Sequence, residues 1–309
     1  MMDSSARDSL FQKLEEATGL SIDVIPLRIE ASSRRYYRLQ FSSPEDVLTF
    51  FKKTNTVLQT VFHFPEKIKQ NSSSILLCIN YDENDFINSD FYRIGTYLHL
   101  QNFSVPDIYG CSNENHFFTG EFSGNFELYE YLKQDPESRE VMLYRSLDML
   151  LKLHGIEPPE AVRNRFFDRE KFAFEKDFLM NAVKEIDKEF EIERFGKLNS
   201  EFSDIIEKII ESNDLVFTHR DFHTRNILLS SPDRQAELKL IDYQDARMGH
   251  RYYDLTSLLF DPYSNFDFDL VNKGFSYYSN KSSYEKNTDL FFTQALQRIL
   301  KALGSICIL

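Results

Sequence analysis

The sequence predicts an α+β protein in two parts, strand-rich over residues 1–124 and mostly helical over residues 125–309. Three observations carry this. Short apolar runs bounded by turn residues fill the first part, helical apolar spacing fills the second, and the pattern changes after Gly124.

Residues Leu10 to Leu20 predict an amphipathic helix, with Leu10, Phe11 and Leu14 on one face and Gly19 as its C-cap. "DVIPLRIE" and "YYRLQF" flank "ASSRR" and predict a hairpin. Residues 42–72 have mixed patterning between serines, which predicts an insertion between two strands and no share in the core. "SILLCINY" resumes the sheet, Phe86 to Leu100 has helical spacing, and "VPDIYG" and "HFFTGEF" supply two further strands. Five strands and one helix make a small first part. Beyond Gly124, "SREVMLYRSLDMLLKLHG" sets Leu143, Leu147, Leu150 and Leu151 on a helix ending at Gly155. "DREKFAFEKDFLMNAVKEI", "SEFSDIIEKIIE", "YYDLTSLLF" and "TQALQRILKALG" continue in helical periods, interrupted by two short strands around a central motif.

Composition narrows the function. A net charge of −13 argues against a nucleic-acid surface, because phosphate backbones need clustered Lys and Arg. A small anionic ligand remains compatible, since a few converging arginines and a metal ion can neutralise it. The start "MMDSSARDSLFQKLEEATGL" carries charges throughout and lacks the uninterrupted apolar core of a signal peptide, and no later apolar run reaches membrane-spanning length. The expectation is a cytoplasmic protein without a membrane partner. Cys78, Cys111 and Cys307 are widely spaced and read as ordinary buried thiols.

The chemistry lies in "FTHRDFHTRNILL", Phe217 to Leu229, and "LKLIDYQDARMGHRYYDL", Leu238 to Leu255. Its His-Arg-Asp, four residues and Asn match the catalytic loop of kinases. Phosphoryl transfer needs an aligned hydroxyl, a restrained phosphate tail and metal ions that neutralise charge. Asp221 suits the first task, as acceptor of the substrate hydroxyl's proton. Asn226 suits Mg2+ through its amide oxygen, and Asp242, at the end of the apolar run "LKLI", suits the same metal. His219 and Arg220 brace the loop. His223 reads as a loop-packing side chain, while Asp245 is either a further ligand or a partner of the local backbone.

Several features depart from protein kinases. Asp242 is followed by "YQDA", no Ala-Pro-Glu closes an activation segment, and none of the 10 glycines forms GxGxxG. "SILLCINY" also carries no lysine. These departures point to a small substrate and leave phosphate neutralisation to another segment, for which "ASSRRYYR" is the candidate. Ser32 and Ser33 let backbone N–H groups approach phosphates, and Arg34, Arg35 or Arg38 supply charge-assisted hydrogen bonds. Strand alternation turns Arg35 away from Arg34 and Arg38, so the three cannot serve one site. An exposed basic hairpin is the alternative.

On these segments, the chain resembles the aminoglycoside phosphotransferase and choline kinase superfamily. "ASSRRYYR", "HRDFHTRN", "IDYQDARMGHRYYDLTSLLFDPY" and "LQRILKALG" make it most similar to bacterial anomeric sugar kinases acting on N-acetylmuramate or N-acetylglucosamine. The resemblance implies a protein-kinase-like two-lobed fold, ATP and Mg2+ as cofactors, and a sugar 1-phosphate product used in cell-wall recycling. It also implies a monomer. Asp254 then braces the catalytic loop, and Glu175, Gln244 and Arg298 contact the substrate; for Glu175 alone, a helix-surface role is the competing expectation. Choline, an aminoglycoside or another alcohol is the alternative acceptor, and a nucleotide-binding pseudokinase is the alternative without catalysis. Two departures from the resemblance are the 42–72 segment and a chain that stops at Leu309, where relatives are expected to continue.

Overall fold

The structure, a computed structural model, describes residues 4–27, 34–57, 72–79, 86–112, 116–124, 126–186 and 192–306. The chain divides into two compact units, Met1–Gly124 and Asn125–Leu309.

The first unit is built on one antiparallel sheet. Helix α1 (Ser4–Thr18) leads into β1 (Asp23–Pro26), β2 (Arg35–Gln40), α2 (Pro44–Val57), β3 (Ser74–Ile79), α3 (Asp90–Leu100), β4 (Ile108–Ser112) and β5 (Phe117–Glu121), with strand order β1-β2-β3-β5-β4. Gly19 stops α1 because it takes φ +65°, where its N–H reaches Glu15 O at 2.7 Å. Period-two alternation splits the sheet's side chains between two cores. Tyr37, Leu39, Ile75 and Leu77 pack with Leu10 and Leu14 of α1, while Cys78, Ile108, Cys111 and Phe118 pack with Phe86, against which Phe91 and Tyr92 of α3 also lie.

Residues 42–72 correct the expectation of an insertion outside the core. The segment opens with α2, an amphipathic helix whose Val47, Phe50 and Phe51 are buried in the same cluster as Leu39. The serines around it suggest a loop; the apolar spacing within "VLTFF" decides the outcome, because burying three large side chains outweighs weak local turn signals. Residues 58–71 lie outside the described residues, as do Ser32, Ser33 and Cys307. Cys78 and Cys111 are buried free thiols.

The second unit is mostly helical. It comprises β6 (Phe126–Glu127), α4 (Leu128–Gln134), α5 (Arg139–His154), α6 (Glu160–Arg163), α7 (Arg169–Ile186), α8 (Ile192–Ser212), β7 (Leu215–Thr218), β8 (Ile227–Leu229), β9 (Leu238–Leu240), β10 (Arg247–His250), α9 (Tyr252–Leu259), α10 (Phe268–Lys281) and α11 (Thr288–Ile306). Where two strands were expected around the motif, five form two small antiparallel ribbons: β10 pairs with β7, and β8 lies between β6 and β9. Helix α10 was not expected. Its first turn is capped by Asp267, whose carboxylate accepts from Leu270 N–H at 2.9 Å.

Two packing features fix the helices around the motif. Phe167, Phe172 and Leu179 meet Phe202, Ile206 and Ile209 of α8 and Tyr253 of α9 in one apolar cluster. Helix α11 approaches α7 closely at Gly304, where an added Cβ would lie 2.8 Å from Leu179 Cα. No helix among the described residues is long and apolar enough to cross a membrane.

Candidate active site

The two ribbons present the motif. Strand β7 ends at Thr218, the loop His219–Asn226 comes next, and β8 carries the chain away. Strand β9 ends at Leu240, and Ile241 N–H donates to Asn226 O at 3.0 Å, which sets Asp242 beside the far end of the loop. The contact joins the end of β9 to the loop through the main chain alone.

The loop is held through its main chain. Asp254, wholly buried at the start of α9, accepts from His219 N–H at 2.5 Å and from Arg220 N–H at 2.9 Å. Arg220 adopts φ +85°, a left-handed conformation that a non-glycine side chain takes only where surrounding contacts over-determine it. The Asp254 carboxylate is that contact. Downstream, Asp261 accepts from both the N–H and the hydroxyl of Thr224, at 2.8 and 2.5 Å. His219 Nε2 sits 2.8 Å from Ile241 O; since a carbonyl only accepts, this nitrogen carries the proton.

Asp221 sits in a cationic setting. Lys301 Nζ donates to its Oδ1 at 3.3 Å, Arg298 lies 3.7 Å from the same oxygen, and Arg220 Nε is 4.0 Å from Oδ2. Burial opposes ionisation of this carboxyl, but Lys301, Arg298 and Arg220 outweigh it and hold Asp221 well below the usual carboxylate range. It is a carboxylate at any physiological pH. Its side chain keeps 28% exposure, so an oxygen remains open to a ligand.

A buried polar chain supports the cations. Arg298 donates to Tyr253 OH at 2.6 Å, Tyr253 OH donates to Glu175 at 3.2 Å, and Gln297 donates to the other Glu175 oxygen at 2.8 Å. Glu175 is 3% exposed, which corrects the helix-surface expectation. The charge periodicity of α7 suggests solvent, but the close approach of α11 covers this position. Gln244 donates to Asp242 Oδ1 at 2.7 Å.

Asn226 and Asp242 offer the oxygen donor types that magnesium takes. Asn226 Nδ2 donates to Asp221 O at 2.9 Å, leaving its amide oxygen for another partner. Asp242 is held at φ +67°. One amide oxygen and one carboxylate are an incomplete protein set, the kind Mg2+ uses when substrate phosphates complete its shell.

Arg220 also pairs with Asp245 at 3.1 Å, a side-chain ion pair that neither reading of Asp245 named. His223 packs beside Tyr263, ring centroids 6.4 Å apart. In the first unit, Arg38 donates to Ser74 Oγ at 3.0 Å and to Gln40, with its guanidinium 4.8 Å over Phe122. Arg34 lies 5.7 Å over Phe91, and Arg35 donates to Arg34 O at 3.1 Å. Sequence reasoning missed Lys301, Tyr253, Gln297 and Asp261. Lys301 had a usable signal, three residues beyond Arg298 on one helix face.

The sequence matches the model of the phosphotransferase enzyme family, APH, over residues 89–285, more than half of the chain. The chain belongs to this family. As an APH protein it is a phosphotransferase, and its fold is shared with solved kinases. Choline kinase LicA from Streptococcus pneumoniae is 12% identical with a TM-score of 0.59, over 98% of this chain and 90% of that one. Choline kinase from Cryptosporidium parvum Iowa II is 14% identical at a TM-score of 0.59, over 99% and 90% of the two chains. The streptomycin–ATP–APH(2")-IIa ternary complex is 14% identical at a TM-score of 0.58, over 100% and 92%. A curated relative, the N-acetylmuramate/N-acetylglucosamine kinase of Caulobacter vibrioides, is 40% identical over 52 residues. That match spans 16% of this chain and 14% of the relative's length.

Proposed function

We propose that this APH-family phosphotransferase moves the γ-phosphoryl group of ATP to the anomeric hydroxyl of N-acetylmuramate or N-acetylglucosamine. The observation that carries the phosphoryl-transfer chemistry is Asp221, an ionised and partly open carboxylate on a loop fixed by Asp254. The similarity to the Caulobacter vibrioides sugar kinase supports the choice of acceptor.

In this reading Asp221 accepts a hydrogen bond from the sugar hydroxyl and takes its proton as the oxygen attacks phosphorus. The new bond joins the anomeric oxygen to the γ-phosphorus, the γ–β bridge breaks, and ADP leaves. Asn226 and Asp242 would hold Mg2+, which when bound draws negative charge from the phosphate oxygens. Arg298 and Glu175 orient the acceptor side, Gln244 steadies Asp242, and His219, Arg220 and Asp254 keep the loop in place.

A panel of amino sugars and amino alcohols with Mg-ATP tests this, with phosphorus NMR locating the new phosphate. A sugar 1-phosphate is expected; phosphocholine or a phosphorylated aminoglycoside would replace the acceptor in this reading. Asp221→Asn is expected to lower kcat by about 10²-fold or more. Unchanged turnover removes the proton-acceptor role.

A further inference from the structure

The carboxylate of Asp221 is held unevenly. Lys301 Nζ donates to Oδ1 at 3.3 Å, and Arg298 Nη2 lies 3.7 Å from that same oxygen. Oδ2 faces Arg220 Nε at 4.0 Å, beyond hydrogen-bond reach, and this nitrogen has no hydrogen-bond partner. Two cations therefore converge on one oxygen, and neither of these contacts engages its twin.

Both cations reach Oδ1 from one helix. Arg298 and Lys301 stand three residues apart on α11, which puts them on one face. Arg298 is fixed from behind: it donates to Tyr253 OH at 2.6 Å, and its guanidinium lies 4.5 Å over the Tyr253 ring. Tyr253 is tied in turn to Glu175, whose other oxygen takes Gln297, so α7, α9 and α11 all enter the frame. Like charges side by side repel, and burying them costs free energy that helix packing alone does not require. The arrangement acts on a weak point of aspartate geometry. The last torsion of an aspartate is broad and roughly two-fold, so an unclamped carboxylate turns freely and presents either oxygen.

We infer that Lys301, with Arg298 beside it, is a positioning residue for phosphoryl transfer: the pair clamps Oδ1 of Asp221 and leaves Oδ2 to receive the proton of the acceptor hydroxyl. The inference rests on the reading of Asp221 as proton acceptor and deepens it. As the acceptor O–H bond breaks, its proton passes to Oδ2 and its electron pair forms the bond to the γ-phosphorus; ADP leaves with the electrons of the bridge. In this role Lys301 touches neither hydroxyl nor phosphate and acts through Asp221.

A double-mutant cycle tests this, with Mg-ATP and N-acetylmuramate, N-acetylglucosamine or choline, whichever is phosphorylated. Lys301→Met is expected to lower kcat by about 10-fold while moving the KM for ATP by less than about 2-fold. In the Asp221→Asn background the same change should alter kcat by less than about 2-fold, because the group it acts through is gone. Lys301→Arg, which keeps a cation in reach of Oδ1, should hold kcat within about 3-fold of wild type. Lys301→Gln should match Lys301→Met, which guards against one variant that misfolds. Equal losses from Lys301→Met in both backgrounds would mean that Lys301 meets a ligand directly, and they overturn the inference. Wild-type kcat in Lys301→Met does the same, and in both cases a slow Asp221→Asn leaves the proton-acceptor reading standing. Wild-type turnover by Asp221→Asn removes that reading and the inference together. If none of the three acceptors is phosphorylated, the sugar kinase reading falls and the crystal structure of Lys301→Met decides the clamp: a turned Asp221 carboxylate supports it, and an unmoved one overturns it.

Discussion

At the scale of single residues, the site stores strain where it needs fixed geometry. Arg220 and Asp242 both take positive φ, at +85° and +67°, and each such non-glycine residue costs of order 1–3 kcal/mol. Asp242→Gly separates the two consequences of that strain. The melting temperature is expected to hold or rise, because glycine adopts this backbone freely, while Mg-ATP turnover falls by about 10²-fold or more with the lost carboxylate. A lower melting temperature would mean that Asp242 supports the fold. Asp221, Asn226 and Asp242 were visible as candidates in the sequence because loop chemistry depends on residue type and short spacing. Lys301, Tyr253 and Asp261 were not. They reach the loop from helices and turns far along the chain, and apart from the spacing of Lys301 from Arg298 nothing local to "LKALG", "YYDL" or "FDPY" states which loop they will meet. Glu175 was visible as a candidate, yet its burial depended on the approach of α11, a tertiary event.

At the scale of elements, the pairing of α7 with α11 sets the position of the buried polar chain. Glu175 projects from α7, and Gln297, Arg298 and Lys301 from α11. Gly304 lets the two backbones meet, since a Cβ there would press on Leu179 Cα, N and Cβ at 2.8, 2.9 and 3.2 Å. Backbone cannot rotate aside as a side chain can. Gly304→Val is therefore expected to destabilise the protein by about 1–3 kcal/mol and to lower kcat together with stability, as α11 shifts the cations around Asp221. Urea melts and kinetics on the same preparation check this; a stable variant with normal kcat would show that the helices can part without cost. Helices with strong apolar period, such as α5 and α8, are readable from the sequence. The α+β class also is, since strand and helix periods differ. Helix α2 is hidden because flanking serines look like loop chemistry, whereas α10 carries a regular apolar stripe, Val271, Phe275 and Tyr278, that is legible in "FDLVNKGFSYYSNK".

At the scale of the whole molecule, protonation ties stability to pH through a buried histidine. His250 is 2% exposed; burial pushes its pKa down to about 3, with Arg251 and His154 adding to the effect. The unfolded chain protonates the same residue near pH 6.5, so below that value the unfolded state binds the extra proton and the folded state does not. Stability should thus fall between pH 6.5 and about 3, by up to about 1.4 kcal/mol per pH unit from this group, and be unaffected by it above neutrality. His250→Gln should flatten that slope in urea melts compared at pH 7.5 and 5; an unchanged slope would assign the loss to other groups. The grip of Asp254 on two successive amides has a different kind of consequence. Peptide N–H groups are common to every residue type except proline, so this one hold on positions 219 and 220 does not itself depend on which other side chains stand there, and the His219 ring adds a separate bond to Ile241 O. Mutational drift can re-equip this loop for a new acceptor without having to reinvent the frame that holds it.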